Sequence, residues 1–234
     1  RADHRHDGAQ MTASRAGVSA RRPVILLTGF GAFPGVPVNA SWLLAERLAD
    51  AAASRFPGYR PIARPLPTEW RAAPAALADL NGEHRPALAL HFGVSSRANG
   101  FNIEARARNV CAPSIDACGE LPAAACIAEN GPDHVPASIP VRRIVERLRA
   151  LGIAAEVSRD AGSYLCNALL YHALTADPAT PRAARTGFVH IPTALIDAKP
   201  ERAACERPAC GLDWETAVSG GLEIIAIALG RPAV

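Results

Sequence analysis

The sequence predicts an α/β protein: a three-layer α/β/α sandwich around a mostly parallel twisted sheet, in a single domain. Three observations carry this. Short apolar runs at residues 24–28, 87–93 and 186–192 read as strands, the first two without the alternation of a half-exposed sheet. Segments with helical spacing alternate with them, which is the order of a layered α/β chain. The length of 234 residues, with 49% hydrophobic and 5% aromatic content, supplies one sizeable core built mainly from Ala, Leu, Val and Ile.

The elements follow in order. Residues 1–22 are rich in Arg, His, Ala, Gly and Ser with no apolar run. They are expected to form a disordered tail, with residues 1–10 an added or upstream extension ahead of the only methionine, Met11; residues 23–234 are the domain. Val24 opens a buried strand that ends at Gly29, and residues 39–53 read as a helix with Asn39 or Ser41 as N-cap and Leu43, Leu44 and Leu48 on its apolar face. Residues 63–66 give a short strand stopped by Pro65 and Pro67, and residues 70–80 a second helix. After the strand at 87–93 comes a polar loop, 95–100, and an extended stretch, 101–110. Residues 111–136 hold four prolines and little periodicity, which predicts a long surface excursion that covers a site or builds a subunit contact. Ile144, Val145, Leu148 and Leu151 mark an amphipathic helix over 141–151 closed by Gly152. A strand at 153–157, a helix at 164–175, the strand at 186–192 and a final helix at 212–229 complete the order.

Composition narrows the function. The net charge of +3 comes from interspersed acids and bases, so no nucleic-acid partner is expected. No apolar run reaches membrane-spanning length or forms a secretory signal, so the expected setting is cytoplasmic, with no membrane partner. Six cysteines would suit a disulfide framework in an exported chain, but the reduced cytosol is preferred here. Cys205 and Cys210 are too widely spaced for a CxxC zinc site, and no metal is expected.

The stretch from Ser158 to Asn167 carries the chemistry. Cys166 lies at a glycine-marked bend that opens an apolar helix, where unpaired N–H groups and the helix dipole favour a thiolate and an oxyanion. An isolated helical cysteine is usually a core residue, but Gly162 and the histidine at the end of the 186–192 strand, His190, argue for a thiol and imidazole pair. Such a pair needs a third group to fix the imidazole tautomer. Glu104 is the best carboxylate for that, although by spacing alone it would be an exposed partner of Arg106 or Arg108.

Several motifs together give this chain a family resemblance. They are Gly29-Phe30-Gly31-Ala32-Phe33-Pro34-Gly35 with Asn39, Glu104 to Asn109, Ser158 to Asn167 (Ser-Arg-Asp-Ala-Gly-Ser-Tyr-Leu-Cys-Asn), Phe188-Val189-His190-Ile191-Pro192, and Ile139-Pro140-Val141. In order and kind they resemble pyroglutamyl peptidase I, the pyrrolidone-carboxylate peptidase family of cysteine peptidases, and the resemblance spans nearly all of residues 24–229. It implies Cys166 as nucleophile, His190 as acid-base and Glu104 as orienting acid. It also implies substrate-binding roles for Phe30, Phe33, Asn39, Val94 and Tyr164, a peptide substrate blocked by N-terminal pyroglutamate, no cofactor, and a homo-oligomer. The chain departs from the pattern at Ala105 and at Ala112-Pro113-Ser114, where the family carries arginines; Arg106 or Arg108 could substitute, or the chain could be a weakened or inactive relative that binds or assembles. A dinucleotide loop at residues 29–35 is the remaining rival. Its glycines miss the GxGxxG spacing by one residue and Pro34 removes a donor.

Overall fold

A computed structural model describes residues 21–33, 36–175, 182–197 and 211–230. The expectations for residues 1–20 and for Cys205 and Cys210 lie outside these.

Strand β1 (Val24–Phe30) and helix α1 (Ala40–Arg55) form the first unit. Asn39 is the N-cap: its side-chain oxygen accepts from the Ser41 N–H at 3.1 Å, satisfying one of the helix's free donors. Strand β2 is longer than its prolines suggested, Arg60–Leu66. It pairs only with β1, as an edge strand, so Pro61 and Pro65 need give no hydrogen bond on the open side. Helix α2 (Ala72–His84) and strand β3 (Leu88–Ser95) follow.

The extended stretch at 101–110 is two strands. Strand β4 (Phe101–Glu104) joins the main sheet, and β5 (Arg106–Arg108) pairs antiparallel with β6 (His134–Pro136) in a separate two-stranded sheet. The chain changes sheets at Ala105, whose N–H donates to Ser158 O while its carbonyl accepts from Ala137. Outside β6, the excursion at 111–136 has no regular element. Helix α3 (Val141–Ala150), β7 (Ala155–Ser158), α4 (Leu165–Thr175), β8 (Thr186–Pro192), a 3₁₀ turn (Thr193–Asp197) and α5 (Trp214–Ala228) complete the order.

The six-stranded sheet runs β2-β1-β3-β8-β4-β7. The first four strands are parallel, and the β4 and β7 pair runs against them, β4 being antiparallel to β8. On one face Leu90, Phe92, Ile103 and Val189 pack with Leu44 and Leu48 of α1, Ile144 and Leu148 of α3, and Ile224 and Ile225 of α5. On the other, Phe30 and Phe188 pack with Ala73 and Leu77 of α2 and Leu165 and Leu169 of α4. These two cores give the expected three layers. Strand periodicity then assigns the site: since Ile103 and Val189 face α1, Glu104 and His190 face α4, the helix that carries Cys166.

Candidate active site

Three elements deliver three side chains to one place. Cys166 is the second residue of α4. The approach to it bends at Gly162, whose φ of +83° suits a residue without a Cβ. The bend is held from outside: Asp160 Oδ1 accepts from the Gly162 N–H at 3.0 Å and from Arg108 Nη2 at 2.8 Å, and Arg108 Nη2 also reaches Gly162 O at 3.2 Å. Arg106 Nε donates to Arg159 O at 3.1 Å. Both arginines are therefore spent on the turn before the cysteine. Neither pairs with Glu104.

The side-chain bonds of Asn167, the residue after Cys166, are tertiary. Buried completely, Asn167 accepts from the Arg108 N–H at 2.8 Å and donates to Arg108 O and Val110 O at 2.8 and 3.1 Å. This stitches the first turn of α4 to β5 and fixes where the sulfur sits. The first helical N–H with an i−4 partner is that of Ala168, bonded to Tyr164 O at 3.1 Å, so the N–H groups of Leu165, Cys166 and Asn167 precede the ladder.

His190 lies on β8, in register with Gly93 of β3 and Asn102 of β4. Its Nδ1 is 2.7 Å from Glu104 Oε1, and the ring interacts electrostatically with the Cys166 sulfur. Glu104 and His190 are 1% and 7% exposed, so the carboxylate predicted by spacing to be a surface partner of Arg106 or Arg108 is instead interior. Burial alone would lower the His190 pKa. The Cys166 sulfur and the Glu104 carboxylate outweigh it and push the imidazole up to about 10.

Gly93 was not singled out from the sequence, and its role is steric. A Cβ there would stand 3.0 Å from Cys166 Sγ and 2.8 Å from Phe188 Cζ, so the glycine leaves the space in which the sulfur lies over β3. Phe188 in turn packs on His190, ring centroids 4.9 Å apart.

The five residues expected to bind substrate separate on the structure. Tyr164 is half-buried beside the cysteine; burial, then Asp116 and Cys166, push its hydroxyl pKa up. Its ring stands edge-on to Trp70 at 5.1 Å, and its hydroxyl donates to Ile115 O at 3.0 Å. Phe33 is half-buried in the loop after β1, bridged to Val36. Phe30 is core, 6.5 Å from Phe188. Asn39 shapes that loop, donating to Gly31 O at 3.0 Å as well as capping α1. Val94 packs on the α1 side of the sheet, the opposite face from Gly93 and Cys166, and lines a cavity of about 620 Å³ there. Strand periodicity is the physical reason that it does not face the sulfur.

A wall that the sequence did not reveal stands beside Tyr164. Trp70 Nε1 donates to Ser114 O at 2.9 Å, and buried Asp116 accepts from the N–H groups of Trp70, Cys118 and Glu120 at 2.9–3.0 Å. Burial raises the Asp116 carboxyl pKa, but its backbone donors outweigh that and hold it below the usual carboxylate range. The segment is thus pinned on both sides while Ile115, between them, leaves its side chain 62% exposed. The Asp116 and Gly119 spacing is a turn signal that could have marked it. Among the described residues no group of three or more His, Cys, Asp or Glu is placed to hold a metal ion.

A family model described as pyroglutamyl peptidase matches residues 23–228. A pyrrolidone-carboxylate peptidase of Cupriavidus taiwanensis is 35% identical over 220 residues, covering 90% of this chain and 95% of its own. One from Bacillus cytotoxicus is 31% identical over 88% of this chain and 92% of its own. The crystal structure of Bacillus amyloliquefaciens pyroglutamyl peptidase I, 28% identical, covers 89% of this chain and 98% of its own with a TM-score of 0.73. A mutant pyrrolidone carboxyl peptidase from the hyperthermophile Pyrococcus furiosus superposes with a TM-score of 0.76. With the family model covering all but the ends of the chain, and relatives above 30% identity along most of its length, this protein belongs to the pyroglutamyl peptidase family.

Proposed function

We propose that this chain is a cysteine peptidase that removes N-terminal pyroglutamate from peptides. The observation that carries the reading is the order Glu104, His190, Cys166, the first two hydrogen-bonded at 2.7 Å and the sulfur, at the start of a helix, interacting with the ring. Glu104 at Nδ1 leaves the other ring nitrogen of His190 for the sulfur. An imidazolium in that position is the cation that supplies a nucleophilic thiolate.

The thiolate attacks the pyroglutamyl carbonyl, and the oxyanion is received by the N–H groups that precede the α4 ladder. His190 gives its proton to the leaving amine, so the C–N bond breaks and the shortened peptide departs. The acyl group stays on Cys166. Neutral His190 then takes a proton from water, which hydrolyses the thioester and restores the pair. Glu104 keeps the ring in one tautomer throughout.

The pyroglutamyl ring is flat, neutral and half apolar. Tyr164, Phe33 and the exposed Ile115 suit such a ring, and a site that offers a charged α-amine no partner would favour a lactam over it. The reading extends to a homo-oligomer, supported by the exposed Ile115 and Leu121 on the excursion. It extends also to a cytoplasmic setting, supported by free thiols at Cys111, Cys118, Cys126 and Cys166; no helix among the described residues is long and apolar enough to cross a membrane.

The test is hydrolysis of a chromogenic pyroglutamyl amide by the parent and by Cys166→Ala. Release by the parent that falls by at least about 10³-fold in the variant is expected. A folded parent that releases nothing above the variant would overturn the reading and leave a binding or assembly protein.

A further inference from the structure

Two thiols away from the reacting sulfur share one small space. Cys111 is buried, Cys126 is half-buried, and both are free. The Cys111 N–H donates to Ala125 O at 2.8 Å. Asn109 clamps the same return of the chain: its Oδ1 accepts from the Ile127 and Ala128 N–H groups at 2.8 and 2.9 Å, and its Nδ2 donates to Ala128 O at 2.7 Å. Chain leaving at residue 111 and chain returning at 126 therefore run side by side. Cys126 is next in the chain to the residue that Cys111 bonds, so the two cysteines sit on adjacent backbone, and closure needs their Cα atoms within the roughly 4.4–6.8 Å that a disulfide spans.

Both side chains line a cavity of about 170 Å³ with Trp70, Ala168 and His172, and the two sulfurs interact electrostatically. Exposed Cys118 belongs elsewhere, lining a different cavity with Glu69. No third Cys, His, Asp or Glu among the described residues joins the pair in a metal-binding group.

We propose that Cys111 and Cys126 form a redox-active pair that closes to an intramolecular disulfide across the base of the segment carrying Ile115. With a peroxide as oxidant, the more open Cys126 thiolate attacks the O–O bond and becomes a sulfenic acid, releasing the first water once the departing oxygen is protonated. The Cys111 sulfur then attacks the Cys126 sulfur, the S–S bond forms, the S–O bond breaks, and a second water leaves with the Cys111 proton. Two thiols and one peroxide give one disulfide and two waters. A small dithiol reverses the step. The loop so closed runs from residue 111 to residue 126 and contains the Ser114 and Ile115 carbonyls that hold Trp70 and Tyr164, so oxidation tethers the wall beside the Cys166 helix.

The full-length protein, treated with hydrogen peroxide, alkylated and cut by a protease specific for glutamate, separates Cys111 from Cys126 at Glu120. Non-reducing mass spectrometry is expected to find the two peptides joined through Cys111 and Cys126, in the parent and in Cys118→Ser, and not in Cys126→Ser. Closing a loop of this length is expected to raise the melting temperature of the oxidised parent by roughly 5–10 °C over its reduced form, a rise that oxidised Cys126→Ser lacks. A bridge from Cys111 to Cys118, both thiols still open to alkylation after Cys118 is oxidised, or an equal melting shift in Cys126→Ser would overturn the proposal.

Discussion

Glu104 Oε1 lies 2.7 Å from His190 Nδ1 although 86 residues separate them in the chain. The contact joins two antiparallel neighbours in the sheet: β4 pairs with β8 through Asn102 opposite His190, and Glu104, two residues on, reaches the ring diagonally on the same face. It fixes which nitrogen faces the sulfur.

Replacing Glu104 by Gln keeps the shape and removes the charge. A fall in kcat of roughly 10²–10⁴ is expected, with the circular dichroism spectrum unchanged. The pH profile supplies a second readout. In the parent, His190 carries its proton up to about pH 10, so activity that needs the imidazolium falls as the pH rises through about 10. In Glu104→Gln that alkaline limb moves to lower pH. The native pKa lies above the ordinary 6.5, so the stability contributed by this proton is complete below about pH 6.5 and lost as the pH rises through about 10. An unmoved alkaline limb in the variant would remove Glu104 from the proposed role.

Gly93→Ala places a methyl against Cys166 Sγ and Phe188. Overpacking of about 1–3 kcal/mol is expected by denaturant titration, with a larger loss of kcat/KM than of stability because the displaced atom is the sulfur. An unchanged rate of Cys166 alkylation by iodoacetamide would contradict the steric account.

His91 sits two residues before Gly93, fully buried, with Nδ1 2.7 Å from Thr28 Oγ1 and Nε2 without a partner. Burial lowers its pKa from 6.5 to about 4. The unfolded chain therefore binds this proton first, and the stability gained from the neutral ring is present above about pH 6.5 and lost as the pH falls through about 4. By size of shift this is at most about 3 kcal/mol. His84 and His172 are also lowered by burial and titrate in the same acid direction, so the contribution is read as a difference. The double variant Thr28→Val, His91→Leu is expected to show a shallower loss of stability between pH 6.5 and 4 than the parent. Identical acid slopes would refute it.

Ile115 is exposed, so Ile115→Ala is expected to leave the melting temperature within about 1–2 °C of the parent's while raising KM for a pyroglutamyl amide several-fold. Tyr164→Phe removes the hydroxyl's bond to Ile115 O and is expected to cost about 1 kcal/mol. Its KM is expected to rise with little change in kcat. Unaltered KM in both would place the ring elsewhere.

Much of the architecture was legible along the chain. β8 runs over the same residues, 186–192, that its apolar run and terminal proline indicated, and α1 begins at the Asn39 cap. Local signals suffice where a local cause acts: a cap satisfies neighbouring donors, and a buried strand is apolar wherever it pairs. Residues 101–110 read as one extended stretch because both halves are extended, and only their different partners divide them at Ala105. Val94, a substrate contact by the family resemblance, lies on the sheet face opposite the sulfur, a placement that depends on strand periodicity within the assembled sheet.

The sequence by itself determined the alternation of strands and helices and the glycine bend before Cys166, because each depends on residues within one or two turns; Cys166, His190 and Glu104 were candidates through the family resemblance of their motifs. Tertiary structure alone decided that Glu104 is buried against His190 rather than paired with Arg108, that Gly93 makes room for the sulfur, and that Ile115 is presented beside Tyr164. Those outcomes depend on which strands become neighbours, and strand order is fixed by burying two apolar faces of one sheet at once, a constraint that belongs to the whole chain and to no segment of it.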